Sequence, residues 1–184
     1  MLAHGEIRNA SGTVTHDTGE IVELWDGTMA LIRPIRPSDR TRLNEGFESA
    51  STRSIFMRFL GPQPRLSSRQ LDYLTAIDHE HHEALIAVDP DTGESFGTAR
   101  YVRSEADPES AEFAVGVGDG WMHIGLGTAL LNTLATRARE AGVVRFTGLI
   151  HADNTAIKRL IEKVAGPYET KSAGSGVLEV TVDL

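Results

Sequence analysis

The sequence predicts an α/β domain built on a mixed sheet, and three observations carry that prediction. Strand-like runs (ALIAVD, SFGTARYVR and AEFAVGV) follow one another in mid-chain with short connections, as antiparallel strands do. Farther on, two segments repeat apolar residues at helical spacing: Leu130, Leu134, Ala138 and Ala141, then Ile157, Leu160, Ile161 and Val164. Each is followed by another strand run, VVRFTGLI and VLEVTVDL. A helix between AEFAVGV and VVRFTGLI implies that those two strands pair in parallel.

A chain of 184 residues with 40% hydrophobic composition fits one domain with a real core. Its net charge of -8 argues against nucleic acid or an anionic membrane as partner, because both call for a basic surface. There is no cysteine, which removes disulfides, thiolate nucleophiles and thiolate metal sites and suits a cytoplasmic protein. The N-terminus lacks the apolar stretch of a signal peptide, and no apolar run reaches the ~18 residues of a membrane span. Residues 1–20, rich in Gly, Ser, Thr and His, are expected to form a flexible arm ahead of a domain over 21–184.

IVELWDG and MALIRPI read as a hairpin joined at Asp26-Gly27. Pro37-Ser38-Asp39 then starts a helical stretch, with Ser38 as its cap. From Asp39 to Ile77 the pattern is helical in two or three pieces, with Phe56, Phe59 and Leu60 on one face and a capping box from Ser67 to Gln70. Ala84 to Asp89, Ser95 to Arg103 and Ala111 to Val117 are strands. The long helix closes at Gly142, Val143 to Ile150 is a strand, and the second helix starts after Asn154 and stops at Gly166-Pro167.

Between AEFAVGV and the long helix lies GWMHIGLGT. Glycines at a helix start let backbone N–H groups approach an anion, yet they also serve a plain strand–helix corner, and spacing alone leaves both readings open. A dinucleotide fingerprint needs a third glycine where Leu130 stands, and a Walker loop needs Gly-Lys-Ser/Thr, which is absent.

VGDGWMHIGLGTALL (Val117 to Leu131) resembles motif A of the GNAT acyltransferase superfamily, whose usual form is Gln/Arg-x-x-Gly-x-Gly/Ala. Met122 occupies the Gln/Arg position, and His123-Ile124 replace a frequent Gly-Arg pair. IRPIRPSD, RSIFMRF, TARYVRSEADPESAEFAV and RAREAGVVRF each resemble segments of Pat-type bacterial protein lysine acetyltransferases, so the likeness covers roughly 21–184. It implies a GNAT fold: antiparallel N-terminal strands, then a parallel pair that splays apart, flanked by helices.

The resemblance also implies a site. Met122, His123, Ile124, Gly125, Leu126, Gly127 and Thr128 would hold the pyrophosphate of acetyl-CoA through the backbone. Asn154 in HADNTAI would contact the same coenzyme. The backbone of Val115, Gly116 and Val117 would face the thioester carbonyl, with Gly116 suited to a bulge or simply to packing. Glu112, by residue type an exposed strand-end carboxylate, takes the place of the catalytic base. His82 and Arg58 fall in regions that shape the acceptor site; a solvated loop histidine and a solvent-facing arginine are the plain alternatives. Phe59 reads as core, and His151 as a strand end. Ile161 stands near the position of a frequent tyrosine acid, so no general acid is assigned. DHEHHE (Asp78 to Glu83) has metal-ligand residue types, but its spacing lacks the i, i+4 histidine pair, and no metal is expected.

The function implied is acetyl transfer from acetyl-CoA to a primary amine, a protein lysine in the Pat comparison, by direct attack in a ternary complex. A small-molecule amine acetyltransferase and a degenerate acyl-CoA-binding regulator are the alternatives. The protein would act as a monomer or a homodimer.

Overall fold

A computed structural model describes residues 19–184; all but the last two positions of the expected arm lie outside the described residues. The hairpin forms as expected: β1 (Glu20–Glu23) pairs antiparallel with β2 (Met29–Pro34). Gly27 in the connection has φ of 87°, a conformation that costs an L side chain strain.

A 3-10 turn over Pro37–Asp39 leads into three helices: α1 (Arg40–Ser49), α2 (Thr52–Phe59) and α3 (Ser68–Thr75). Ser38 does not cap. It sits inside the 3-10 turn, and Asp39 precedes α1 with its carboxylate turned away, to the Arg33 guanidinium and the Arg36 N–H. The Ser67–Gln70 capping box is present. Leu60 leaves the predicted apolar face, because it is the residue that ends α2, at φ 56°.

Three antiparallel strands follow: β3 (His82–Val88), β4 (Ser95–Arg103) and β5 (Ser110–Val117). Then come α4 (Leu126–Glu140), β6 (Arg145–His151), α5 (Thr155–Ala165), β7 (Glu169–Gly174) and β8 (Val177–Asp183). Sequence patterning misses β7. All six of its residues are exposed, so it carries no apolar alternation, as suits a polar edge strand.

The sheet runs β1-β2-β3-β4-β5-β6-β8-β7. β5 and β6 pair in parallel, as predicted, and every other pairing among the described residues is antiparallel. Because strand side chains alternate between faces, Ala99, Tyr101, Ala111 and Phe113 join the core beneath α4, with Leu126, Leu130, Leu131, Leu134, Ala135 and Ala138. Each buried leucine there contributes about 1.5–3 kcal/mol. The opposite face carries α1, α2 and α3; there Leu43 of α1 and Ile77, just beyond α3, pack on Ala84, Ile86 and Val88 of β3. Thr98, Arg100 and Gly116 face this second side, and the candidate chemistry lies here.

Candidate active site

The parallel pair is short. Ser110, Ala111 and Glu112 pair with Arg145, Phe146 and Thr147, and there the pairing stops, although β5 runs on to Val117 and β6 to His151. The two strands therefore part directly after Glu112, which is the splay that the resemblance implies. β5 stays with β4 in unbroken register to Val117, so Gly116 forms no bulge. The close backbone approach is at Gly97, where a Cβ would lie 2.7 Å from the Gly116 carbonyl oxygen. The gap opens at the carboxyl ends of the parallel strands, where α/β sheets characteristically bind ligands.

Two helices begin at that mouth. Whereas α2, α3 and α5 take side-chain caps from Ser51, Ser67 and Asn154, α4 starts at Gly125 with none. The first-turn N–H groups of Leu126, Gly127 and Thr128 thus lack a side-chain cap, and such a terminus carries a partial positive charge. An anion is the natural partner. Val117 and Leu160 of α5 close on Gly127, where a Cβ would meet their methyl groups at 3.7 and 3.4 Å.

Gly125 has a second reason to be glycine. Besides its φ of 94°, a Cβ would lie 2.8 Å from the Trp25 ring, which reaches over from the β1–β2 hairpin. The Trp25 N–H donates to the Ile124 carbonyl at 3.0 Å, and Lys163 Nζ stands 4.1 Å from the ring centroid. His123 holds φ of 64°, so the loop makes a left-handed turn without glycine, the residue best suited to it. Met122 and His123 are exposed, and Ile124 packs on the core. Asn154 caps α5 through its Oδ1, which accepts from the Ile157 N–H at 3.2 Å. Gly125→Ala is expected to cost roughly 1–3 kcal/mol through left-handed strain and collision with the indole. Trp25→Ala in the same chain should restore part of that stability. Urea unfolding of the single and double variants would read the effect.

On the other face, α2 roofs the gap. Asp119, just beyond β5, accepts from the Ser51 N–H at 2.6 Å and from the Ser54 hydroxyl, which ties the start of α2 to the end of β5. Phe56 packs its ring against His151 at the end of β6, 5.7 Å between centroids. Arg58 lies over Gly116, its Cδ 3.8 Å from where a Cβ would be, and interacts electrostatically with Glu112. Glu112 itself is exposed. Beneath α1 and α2 is a pocket of about 120 Å³ walled by Phe47, Phe59, Leu74, Thr98, Arg58 and Arg100. Phe59, expected in the core, belongs instead to this wall, half-buried and edge-on to Phe47.

His82 is not in a loop. It opens β3 and is buried against Tyr73, 5.2 Å between ring centroids. Its Nε2 accepts from Arg100 Nη1 at 3.3 Å, and Arg100 Nη2 donates to the Leu74 carbonyl at 3.2 Å. His82 therefore reaches the pocket only through Arg100.

The rest of DHEHHE is also occupied in structure. Asp78 Oδ1 accepts the N–H groups of Glu80, His81 and His82. His79 bridges the buried Glu83 carboxylate (2.8 Å) and the Ile35 carbonyl (3.1 Å), and Arg137 meets the other Glu83 oxygen at 3.1 Å. Among the described residues no three His, Asp or Glu side chains converge as a metal site. Two of the histidines should titrate oppositely. The Glu83 hydrogen bond raises His79 above the ordinary 6.5, whereas burial, reinforced by Arg100, lowers His82 to about 4. The His79 contribution to stability is thus full below pH 6.5 and lost as pH rises through its folded-state value. The His82 contribution is full above 6.5 and lost as pH falls toward 4. NMR titration of the ring protons, assigned with His79→Gln and His82→Gln, should give one midpoint on each side of 6.5.

A parallel pair that opens beside an exposed carboxylate, with an uncapped helix start at its mouth, defines the architecture of an acyl-CoA N-acyltransferase. Comparison with known proteins agrees. The profile of the acetyltransferase (GNAT) domain family matches residues 30–165, and the chain belongs to the GNAT acetyltransferase family. It is 31% identical over 142 residues to an acetyltransferase of Pseudomonas aeruginosa, covering 76% of either chain. It is 27% identical over 161 residues to the acetyltransferase Pat of Mycolicibacterium smegmatis, covering 88% of this chain and 48% of Pat. The chain thus spans about half the length of that relative. The crystal structure of the GNAT domain of S. lividans PAT superposes with a TM-score of 0.82 at 32% identity, over 90% of this chain and 97% of that one. The fold is shared with an acetyltransferase-like protein of Salmonella typhimurium solved with its cofactor acetyl-CoA, at 18% identity and a TM-score of 0.67, over 84% of this chain and 92% of that one. Among the described residues no helix is long and apolar enough to cross a membrane.

Proposed function

We propose that the protein transfers the acetyl group of acetyl-CoA directly to a primary amine, with Glu112 as general base, and that it does so in the cytoplasm. The observation that carries this reading is the parting of β5 and β6 directly after Glu112, which sets the carboxylate at the apex of the gap. The start of α4, from Met122 to Thr128, receives the pyrophosphate, and the pantetheine arm enters between the strands. Backbone N–H groups of Val115 to Val117 on the open edge of β5 hold the carbonyl oxygen as negative charge develops on it. Asn154 acts on this site by fixing the start of α5.

An aliphatic amine has an ordinary pKa of about 10.4 and arrives protonated. Glu112 takes that proton, directly or through water, and the free amine attacks. The chain has no cysteine to carry an acyl group, which favours one-step transfer. A protein lysine is the acceptor that the likeness to Pat suggests. A small amine is the second reading, favoured by a pocket beneath α1 and α2 that is lined by two guanidinium groups. Purified protein with acetyl-CoA should release free thiol only when a suitable amine is added. Tight acetyl-CoA binding without release over a wide amine panel would leave a binding protein and overturn the proposal.

A further inference from the structure

Arg100 is 6% exposed on a central strand. Its two hydrogen bonds go to neutral acceptors, the Leu74 carbonyl and His82 Nε2. Arg58 hangs from α2 into the same pocket, and the carboxylate that acts on it is Glu112, at the exposed end of the groove. The two arginines repel each other, and burial with that repulsion lowers Arg100 to about 10. Elsewhere the chain treats submerged arginines differently. Arg33 meets the fully buried Asp39 through two hydrogen bonds, and Arg137 meets the buried Glu83. Desolvating a guanidinium without a carboxylate is costly. Arg100 is in that position, and with Arg58 beside it the pocket presents two guanidinium groups, planar forks suited to an oxyanion.

We infer that the pocket recognises its acceptor by a carboxylate, held by Arg58 and Arg100, and that the acceptor is a small amino acid-like molecule whose amine then faces Glu112. The inference rests on the acetyltransferase reading and names its substrate class. The remaining wall suits such a molecule: Phe47, Phe59 and Leu74 offer apolar surface, and Thr98 a hydroxyl. Roofed by α1 and α2, the pocket of about 120 Å³ has room for a small organic body. A lysine side chain on a protein would bring its ammonium past two like charges, which Coulomb repulsion opposes. The positive potential is local, since the whole chain carries -8. His82, hydrogen-bonded behind Arg100, is a positioning residue for that guanidinium.

The test uses the whole chain with saturating acetyl-CoA and reads thiol release. The probes are the twenty standard L-amino acids, the C-terminal amides of those that react, and an end-blocked lysine peptide. At least one free acid should react with kcat/KM about 100-fold or more above its amide and above the peptide, because a pocket built around a carboxylate leaves buried charge unmatched without it. Arg100→Gln should raise KM for the acid by about 30-fold or more while changing kcat far less, and should narrow the preference for the acid over its amide by a similar factor. Arg100→Lys, which keeps the charge and loses the fork, should fall between. Reaction of the peptide or of the amides on a par with the free acids overturns the inference and leaves the acetyltransferase reading standing. If no amine reacts although acetyl-CoA binds, the acetyltransferase reading fails. The pocket is then read by titrating the unaltered protein, with CoA present, with N-acetyl-L-amino acids and their amides. Equal binding of acid and amide overturns the carboxylate site, and selective binding of the acid upholds it. The acid–amide comparison needs no variant, so a misfolded Arg100 substitution does not decide the outcome.

Discussion

Glu112→Gln lowers kcat for amine acetylation by about 10²–10⁴-fold, the usual contribution of a positioned general base, while acetyl-CoA affinity stays nearly unchanged. The glutamine keeps the shape of the side chain and removes its ability to take a proton. Because Glu112 is exposed, losing its charge disturbs the fold little. Acetyl-CoA binding should survive because the donor contacts are assigned to the β5 edge and the α4 start, beyond the residue where the strands part. Thiol release at saturating amine, paired with calorimetric titration of acetyl-CoA, separates the two effects. A kcat within a few-fold of the parent, at every pH, would remove Glu112 from the chemistry.

Asp39→Ala destabilises the protein by about 3–5 kcal/mol, the cost of stripping the partner from a buried ion pair. Asp39 has no exposed surface and accepts from both Arg33 terminal nitrogens at 2.7 Å and from the Arg36 N–H at 2.9 Å. Burial alone pushes its carboxyl up, but those hydrogen bonds more than offset this and hold it below the ordinary aspartate range. Removing it strands the Arg33 guanidinium, whose side chain is 14% exposed. Against a typical total of 5–15 kcal/mol the loss is large. The effect should reach the active site as well, because Asp39 joins β2 to the start of α1, which supplies one wall of the acceptor pocket. Urea denaturation with Asp39→Asn alongside measures it; a loss below about 1 kcal/mol for alanine would show the pair to be no stronger than a surface bridge.

The parts of this fold that read from sequence are those whose periodicity is strong. β4, β5, α4 and α5 repeat apolar residues at a period near two or 3.6, because each buries a face on the core beneath α4. β3 reads as an unbroken apolar run because both of its faces are buried. β7 does neither, since nothing covers it. Ser38 does not cap because Pro37–Asp39 form a 3-10 turn and Asp39 is held by Arg33 of β2, six residues back, a pairing that capping rules do not contain. At the site, the glycine turn and Glu112 stood out through motif and position. Trp25, Asp119 and Arg100 did not. The first lies a hundred positions from the glycine it covers, and the second serves a helix in another segment. Arg100 sits in the strand run SFGTARYVR, where nothing local announces that both of its hydrogen-bond acceptors are neutral. Gly125 teaches the same lesson in reverse: its lack of a side chain accommodates the Trp25 indole as well as a left-handed turn.

Three residue pairs are a slender seam. Among the described residues they are the only ladder joining the five-strand half of the sheet, β1 to β5, to the three-strand half, β6, β8 and β7. Without ligand, cohesion between the halves falls mainly on the core beneath α4 and α5. A pantetheine arm laid between β5 and β6 would act as mortar in that seam, supplying amides and carbonyls to the strand edges that face it. The protein would then be a thermometer of its own donor: at a hundred times its dissociation constant, a ligand specific for the folded state adds about 2.7 kcal/mol. Amide exchange along Phe113 to Val117 would slow in step, so that the sheet is completed by the molecule it exists to hold.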